Sequence, residues 1–397
     1  MINGFMKKDN KKSWEIKISK EVQVSVVLPC RNEEAAVGAC VSKIKEVFKR
    51  EGIAGEIIVS DSSTDKSPEI AESLGARVVR HGKEGYGNAC LEGLAQAQGE
   101  YIVIADADGT YDFNDIPRFL ARLKEGADLV VGNRFEGEIK ENAMPSLHRY
   151  LGNPFLSGML KLFFKINISD AHCGFRAIKK EALKKLDLKT TGMEFASEMI
   201  IKAKRAGLNI SEIPIVYHPR IGESKMSSFK DGWRHLRFML LYSPEYLFLV
   251  PGIFIFLAGL FLLLLLLQGP ASLFGVILLD IHPMILGSLL AIVGYQVILL
   301  GVYAKTYAIV NRLDEDKGII SAINNKVNVE KGILIGGFVF LIGFILHLNI
   351  LIGWMNGGFG YLSQIRIAIF ALTFTVIGIQ TVFSAFFLSV LSIKHKY

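Results

Sequence analysis

Two carboxylates one residue apart, Asp106 and Asp108, follow the apolar run Tyr101-Ile102-Val103-Ile104 and precede Gly109. Four apolar residues in succession read as a short buried strand, and a glycine after the acids reads as a turn. At the carboxyl end of a parallel strand, such a pair faces the crevice in which open α/β sheets take their ligands. Oxygen donors of this kind suit a hard divalent cation, Mg2+ or Mn2+, which can also bridge to diphosphate oxygens. An Asp-x-Asp-Gly alone is more often a solvated turn, so its meaning depends on what the neighbouring elements bring to the same edge.

Those elements alternate. Residues 22–28 read as a buried strand ended by Pro29, followed by Cys30-Arg31-Asn32-Glu33-Glu34 and a helical pattern to about Arg50. A second strand over residues 56–60 delivers Asp61-Ser62-Ser63-Thr64-Asp65, and a helix, a strand over residues 76–80, a glycine-rich turn over 82–87 and another helix lead to the Asp106 strand. This order predicts an α/β fold with a mostly parallel sheet and right-handed crossovers. Three strand ends then converge: residues 31–33, Asp61, and Asp106 with Asp108. The turn containing Gly85 matches neither the P-loop nor Gly-x-Gly-x-x-Gly, and a tight turn before a helix explains it equally well.

Further along, the polar stretch 137–144 is expected to be a mobile lid. Leu147, Tyr150, Leu151, Phe155, Met159 and Phe163 give an apolar face with His148, Arg149 and Lys161 among the polar positions. Residues 194–206 read as a helix placing Glu194 and Glu198 on one face, where they either orient basic residues or are simply solvated. Residues 209–217 read as a strand broken at Pro214. His172, His218 and His235 have no metal-ligand spacing.

Composition divides the chain. Over 397 residues the mean hydropathy is +0.35 and 51% of residues are hydrophobic, the excess lying after about Tyr246. Four apolar spans, 247–267, 283–304, 333–353 and 367–391, each reach the roughly 20 residues that cross a bilayer core. Ahead of them, residues 229–246 mix Trp233, Phe238, Tyr242 and Tyr246 with Lys230, Arg234 and Arg237, a pattern suited to an amphipathic helix at a headgroup surface. Lys305, Arg312, Lys317, Lys326 and Lys331 lie between the second and third spans, whereas residues 268–282 carry no Lys or Arg. The positive-inside rule therefore places the first domain and both termini in the cytoplasm. Cys30, Cys40, Cys90 and Cys173 lack Cys-x-x-Cys spacing and read as reduced thiols. A net charge of +7 with basic residues in no long run points to membrane or anionic substrates and away from nucleic acid. Residues 1–21 read as a loose polar tail without a signal-peptide core.

The chain resembles family 2 glycosyltransferases of the GT-A fold in Val27-Leu28-Pro29 with Asn32-Glu33, in Ser60-Asp61-Ser62-Ser63-Thr64-Asp65, and in Asp106-Ala107-Asp108. Gly132-Asn133-Arg134, Asp170-Ala171-His172-Cys173-Gly174-Phe175-Arg176-Ala177 and Arg220-Ile221-Gly222-Glu223-Ser224-Lys225 are similar to the dolichol-phosphate mannose synthase group and its bacterial polyprenyl-phosphate relatives. The resemblance implies a catalytic GT-A domain over 22–228, a juxtamembrane helix over 229–246 and a four-helix transmembrane domain over 247–397. It implies that Pro29, Arg31, Glu33, Asp61, Gly85 and Ser224 hold the nucleotide sugar. Asp106 and Asp108 hold the metal and diphosphate on that reading, and Arg220 and Lys225 close over the donor. Arg134 and Arg149 are the cations expected near a lipid phosphate, since the arginine fork can donate two bonds to it.

Two positions depart from the family pattern: Ser60-Asp61 replaces an Asp-Asp pair, and Thr110 stands where the mannose synthases have Gln. The implied activity is an inverting hexosyl transfer from a UDP-glucose or GDP-mannose type donor to polyprenyl or dolichyl phosphate, with self-association left open. A processive polysaccharide synthase would carry Gln-x-x-Arg-Trp, which Asp231-Gly232-Trp233-Arg234 does not supply. A non-catalytic nucleotide-sugar-binding scaffold is disfavoured by the intact acidic and basic positions and by the scarcity of ionisable residues in the spans.

Overall fold

The computed structural model describes residues 22–222, 228–273, 276–310 and 329–392. It contains two compact units, one formed by the chain up to Gly158 with Asn167–Asp231, the other by Met159–Ile166 with the chain from Gly232 onward.

Among the described residues of the first unit, seven strands form one sheet: β1 (Val24–Cys30), β2 (Gly55–Asp61), β3 (Arg77–Arg80), β4 (Tyr101–Ile104), β5 (Leu129–Ile139), β6 (Arg176–Lys179) and β7 (Ile210–Tyr217), in the order β3-β2-β1-β4-β6-β5-β7. β3, β2, β1 and β4 are mutually parallel, β7 is parallel to β5, and β6 runs antiparallel to both β4 and β5. The expected α/β fold with a mostly parallel sheet is therefore present. Helices α1 (Val37–Glu51), α2 (Ser67–Ser73), α3 (Tyr86–Gln96) and α4 (Ile116–Lys124) connect the strands. Helix α1 buries Val37, Cys40, Val41, Ile44, Val47 and Phe48, a helical repeat that gives it one apolar stripe to lay on the sheet. It stops at Gly52, whose φ of 64° suits glycine and whose N–H returns to the Phe48 carbonyl. All four cysteines are buried free thiols.

β5 and β7 differ from expectation. β5 continues through residues 137–139, pairing Glu138 with Val216 and Ile139 with Tyr217 beyond a register shift, so the start of the expected lid is strand. Gly137 lies so close to β7 that a Cβ there would sit 1.9 Å from the Ile215 carbonyl oxygen. Nor does Pro214 break β7. It lies on an edge strand, where a residue without an N–H is tolerated.

After β5 come a π-helical turn (His148–Gly152) and α5 (Asn153–Phe164), then α6 (Lys180–Leu183), α7 (Phe195–Arg205) and α8 (Ser228–Leu241). Among its described residues the second unit holds four helices long and apolar enough to cross a membrane, Glu245–Leu266, Ile281–Val310, Val329–Asn356 and Ile365–Leu391. The first packs on the second, the second on the fourth, and the fourth on the third. The outer pairs approach through glycines. A Cβ on Gly259 would sit 2.3 Å from the Ala291 nitrogen, and one on Gly378 2.4 Å from that of Phe340. The central pair is joined by hydroxyls, Ser288 to Thr373 at 2.7 Å, Tyr295 to Thr381 at 2.6 Å and Tyr303 to Ser384 at 2.6 Å. A short hairpin, Ala271–Leu273 with Ile277–Leu279, joins the first two helices and has no counterpart in the expected elements.

Candidate active site

The parallel strands end together because their registers are fixed by the buried apolar positions. Cys30 of β1 lies beside Asp61 of β2, which lies beside Arg80 of β3, and Val27 of β1 lies beside Ile104 of β4. The polar residues following each strand therefore emerge along one edge.

Around Asp61 the chain builds a small hydrogen-bonded network. Its carboxylate accepts the Ser63 N–H at 3.2 Å and hydroxyl at 2.6 Å, and the Ser63 oxygen accepts the Asn32 N–H at 2.7 Å. Asn32 takes the left-handed φ of 54°, which asparagine tolerates, and its side-chain oxygen accepts the Thr64 N–H at 2.8 Å. Pro29 lies just upstream, beside Ser60. Arg31 points outward to Glu84 at 2.8 Å, both side chains being exposed. Gly85, at φ 113°, opens α3, and a Cβ there would meet the Thr191 carbonyl oxygen at 2.3 Å. Its glycine is thus required for packing against Thr191.

Asp106 and Asp108 differ sharply in their surroundings. Asp108 is buried, one carboxylate oxygen accepting the Thr110 N–H at 3.1 Å and hydroxyl at 2.6 Å, the other meeting Arg220 Nη1 at 3.1 Å. The same guanidinium pairs with Glu33. Burial and the nearby Asp108 push the Asp106 carboxyl well above its usual range, against the Tyr86 hydroxyl and the arginines at 220 and 134. Gly174 permits this placement, because a Cβ there would stand 2.7 Å from an Asp106 carboxylate oxygen. A pair of carboxylates held against mutual repulsion fits a hard cation. Among the described residues no cluster of three or more His, Cys, Asp or Glu forms a complete ligand set, so diphosphate oxygens would have to complete it.

Arg134 does not join them as an accessible cation. Its guanidinium donates from Nε at 2.7 Å and Nη2 at 2.8 Å to the two oxygens of the fully buried Asp170, which also accepts the Arg134 N–H at 3.0 Å. Its Cζ lies 5.1 Å from the Tyr217 ring centre. The residue expected near a lipid phosphate is therefore found buried and paired with Asp170. Arg149 stands in the π-helical turn, its Cζ 5.5 Å from the Tyr150 ring centre, on a segment exposing Leu147, Tyr150, Leu151 and Phe155. Ser224 and Lys225 lie outside the described residues. Glu198 is neither solvated nor orienting a site cation: buried, it accepts the N–H groups of Lys189 and Thr190 and the Thr190 hydroxyl, and pairs with Lys202 at 2.8 Å.

Sequence reasoning passed over Asn32 and Ser63 as individual residues, along with Tyr86 and the Asp170 partner of Arg134. The Asp-x-Ser spacing of Asp61 and Ser63 was the available signal for the first pair, since such side chains bond backbone two residues on.

Comparison with known proteins gives the class to which an acidic α/β crevice and membrane-length helices in one chain belong. Residues 25–187 match the model of glycosyl transferase family 2, and residues 302–392 match the glycosyltransferase family 2 C-terminal transmembrane region. The chain is 40% identical over 366 residues to the low-salt glycan biosynthesis hexosyltransferase Agl6 of Haloferax volcanii, covering 92% of this chain and 88% of that protein. It is 32% identical over 210 residues to the dolichyl-phosphate hexose transferase of the same organism, covering 53% of this chain and 89% of the relative. Among solved structures, mannosyl-3-phosphoglycerate synthase from Rubrobacter xylanophilus aligns at 21% identity with a TM-score of 0.46, over 55% of this chain and 73% of the other. The chain belongs to glycosyltransferase family 2. It is a glycosyltransferase and an integral membrane protein.

Proposed function

We propose that this chain transfers a hexose, with inversion, from a nucleoside diphosphate sugar to a polyprenyl phosphate at the cytoplasmic face of the membrane. The carrying observation is the edge on which Asp61, Asp106, Asp108 and Glu33 converge with Arg220 between the last two. It supplies a polar nucleoside end and an acidic diphosphate end in one crevice. The names of the relatives support a hexosyl donor and a dolichyl phosphate acceptor.

In this reading the Asp61, Ser63 and Asn32 network receives the nucleoside, and Glu33 and Arg220 border the diphosphate. Asp106 and Asp108 would hold a Mg2+ or Mn2+ ion, which would supply charge stabilisation for the departing nucleoside diphosphate. An acceptor phosphate oxygen attacks the anomeric carbon, the new carbon–oxygen bond forms, and the bond to the nucleoside diphosphate breaks with its electron pair leaving on the diphosphate. The acceptor is already anionic at neutral pH, so no residue has to take a proton from it.

Arg149 is the acceptor-side cation in this proposal. Among the described residues no carboxylate pairs with it, and the exposed Leu147, Tyr150, Leu151 and Phe155 around it suit a segment lying in the headgroup region. The cytoplasmic assignment rests on the Lys and Arg asymmetry between the spans. The one arginine at the opposite ends of the helices, Arg366, is neutralised by Asp280 and donates to the Leu266 carbonyl at 2.8 Å.

The testing experiment incubates membranes containing the full chain with labelled UDP-glucose, GDP-mannose and related donors plus polyprenyl phosphate. Acid-labile, lipid-linked monosaccharide is expected from one donor. Polymer, or label in no lipid product with any donor, overturns the proposal.

A further inference from the structure

Arg220 occupies an unusual position for a residue expected to receive a donor. Its guanidinium spans two carboxylates that belong to different ends of the crevice, Glu33 after β1 and Asp108 after β4. The Asp108 contact, at 3.1 Å, uses the one carboxylate oxygen that Thr110 does not already hold. Both oxygens of Asp108 are thus committed. The guanidinium itself is incompletely satisfied: its Nε is buried and, among the described residues, has no hydrogen-bond acceptor. A buried donor left unused costs free energy until an acceptor arrives.

The backbone carrying this arginine is fastened to the backbone carrying the acids. The His218 N–H donates to the Thr110 carbonyl at 2.9 Å, and the Ile221 N–H donates to the Asp108 carbonyl at 2.9 Å. Gly109 lies against the Ile221 side chain, where a Cβ would come within 2.8 Å. The guanidinium can therefore leave Asp108 by turning its side chain while the two segments stay paired.

We propose that Arg220 is the resting counter-ion of Asp108, so that a divalent cation enters only as the guanidinium moves off, and that the diphosphate of the donor is the acceptor onto which it moves. This rests on the metal reading of Asp106 and Asp108. A planar fork with an idle Nε gains acceptors from diphosphate oxygens that Glu33 and Asp108 do not supply. Cation and nucleoside diphosphate then load together: the cation alone must compete with a held positive charge, whereas the diphosphate removes the competitor. Thermodynamic linkage makes the coupling reciprocal.

The test measures Mn2+ binding to the detergent-purified full chain by electron paramagnetic resonance of the free ion, with and without UDP or GDP. Wild type, Arg220→Gln, Arg220→Lys and Asp106→Asn are compared, each checked for folding by thermal unfolding. Arg220→Gln is expected to bind Mn2+ alone about 10- to 100-fold more tightly than wild type, the scale of one lost charge-assisted contact. It should also lose most of the enhancement that a nucleoside diphosphate gives wild type. Arg220→Lys keeps the charge on a single donor and should fall between the two.

If Asp106→Asn abolishes Mn2+ binding while Arg220→Gln leaves the affinity for Mn2+ alone unchanged or weaker, the metal reading stands and the counter-ion proposal is wrong. If neither wild type nor Arg220→Gln takes up Mn2+ with either nucleoside diphosphate, the metal reading fails and takes the proposal with it.

Discussion

Replacing Arg134 by alanine separates a role in the fold from a role at the acceptor. The side chain is 8% exposed, two of its donors meet both oxygens of a fully buried Asp170, and the third contact to that carboxylate comes from its own backbone N–H. Burial works against the Arg134 charge, and Asp170 more than offsets it, so the guanidinium stays protonated. Truncation leaves the Asp170 carboxylate buried with one N–H where it had three donors. Removing one member of such a pair costs about 3–5 kcal/mol. At about 2–4 °C per kcal/mol for a unit of this size, the unfolding temperature should fall by about 6–20 °C. Changing Asp170 to leucine in the same chain removes the stranded charge and should recover part of the loss. The remainder is the Arg134 N–H, which loses its acceptor at a cost of about 1–3 kcal/mol. Thermal unfolding of the purified proteins, read beside saturation curves for the acceptor, makes the distinction. An Arg134→Ala protein that unfolds within about 2 °C of wild type but needs far more acceptor would refute the assignment to the core.

Arg149→Ala is expected to weaken use of a short-chain, soluble prenyl phosphate by about 10- to 100-fold with little change in nucleotide affinity, and equal acceptor saturation would move the acceptor site elsewhere. Asp108→Asn should lower turnover by at least about 100-fold, the scale of losing one charge-stabilising group, while the protein still purifies folded. Near-normal turnover with Mn2+ supplied would remove Asp108 from the chemistry. Because Asp106 is shifted upward, the folded protein keeps a proton that the unfolded chain has released above a pH of about 4. In the absence of metal its contribution to stability is therefore lost as pH rises toward the shifted value. A cation needs the ionised pair, so the thermal stabilisation by Mn2+ should be larger at about pH 8 than at about pH 6, and a flat profile would contradict the burial argument. Single cysteines replacing Lys83, Lys317 and Val276 should label from the cytoplasmic side for the first two and from the opposite side for the third. The native thiols are buried and leave the background low.

The sequence alone was sufficient for features governed by near neighbours. The β-α alternation, the polar residues after β1, β2 and β4, and the membrane spans are written as apolar periodicity over a few to about 20 residues, which is the scale on which strands and bilayer-crossing helices are selected. Hence the mostly parallel α/β sheet and the acidic strand ends were legible before any coordinate. Tertiary structure decided what depends on residues far apart in the chain. The short strand β6, between a Cys-Gly-Phe turn and a helix of four residues, carries too little pattern to reveal that it inserts antiparallel between β4 and β5. Arg134 resembles any exposed phosphate-binding arginine until Asp170, 36 residues on, takes two of its donors. Arg220 meets partners 112 and 187 residues away, which no local propensity encodes. The order in which the membrane helices pack was equally hidden, because hydrophobicity fixes that a helix enters the bilayer. Which neighbour it chooses follows from where small residues and hydroxyls fall on its surface, and that becomes definite only when the helices meet.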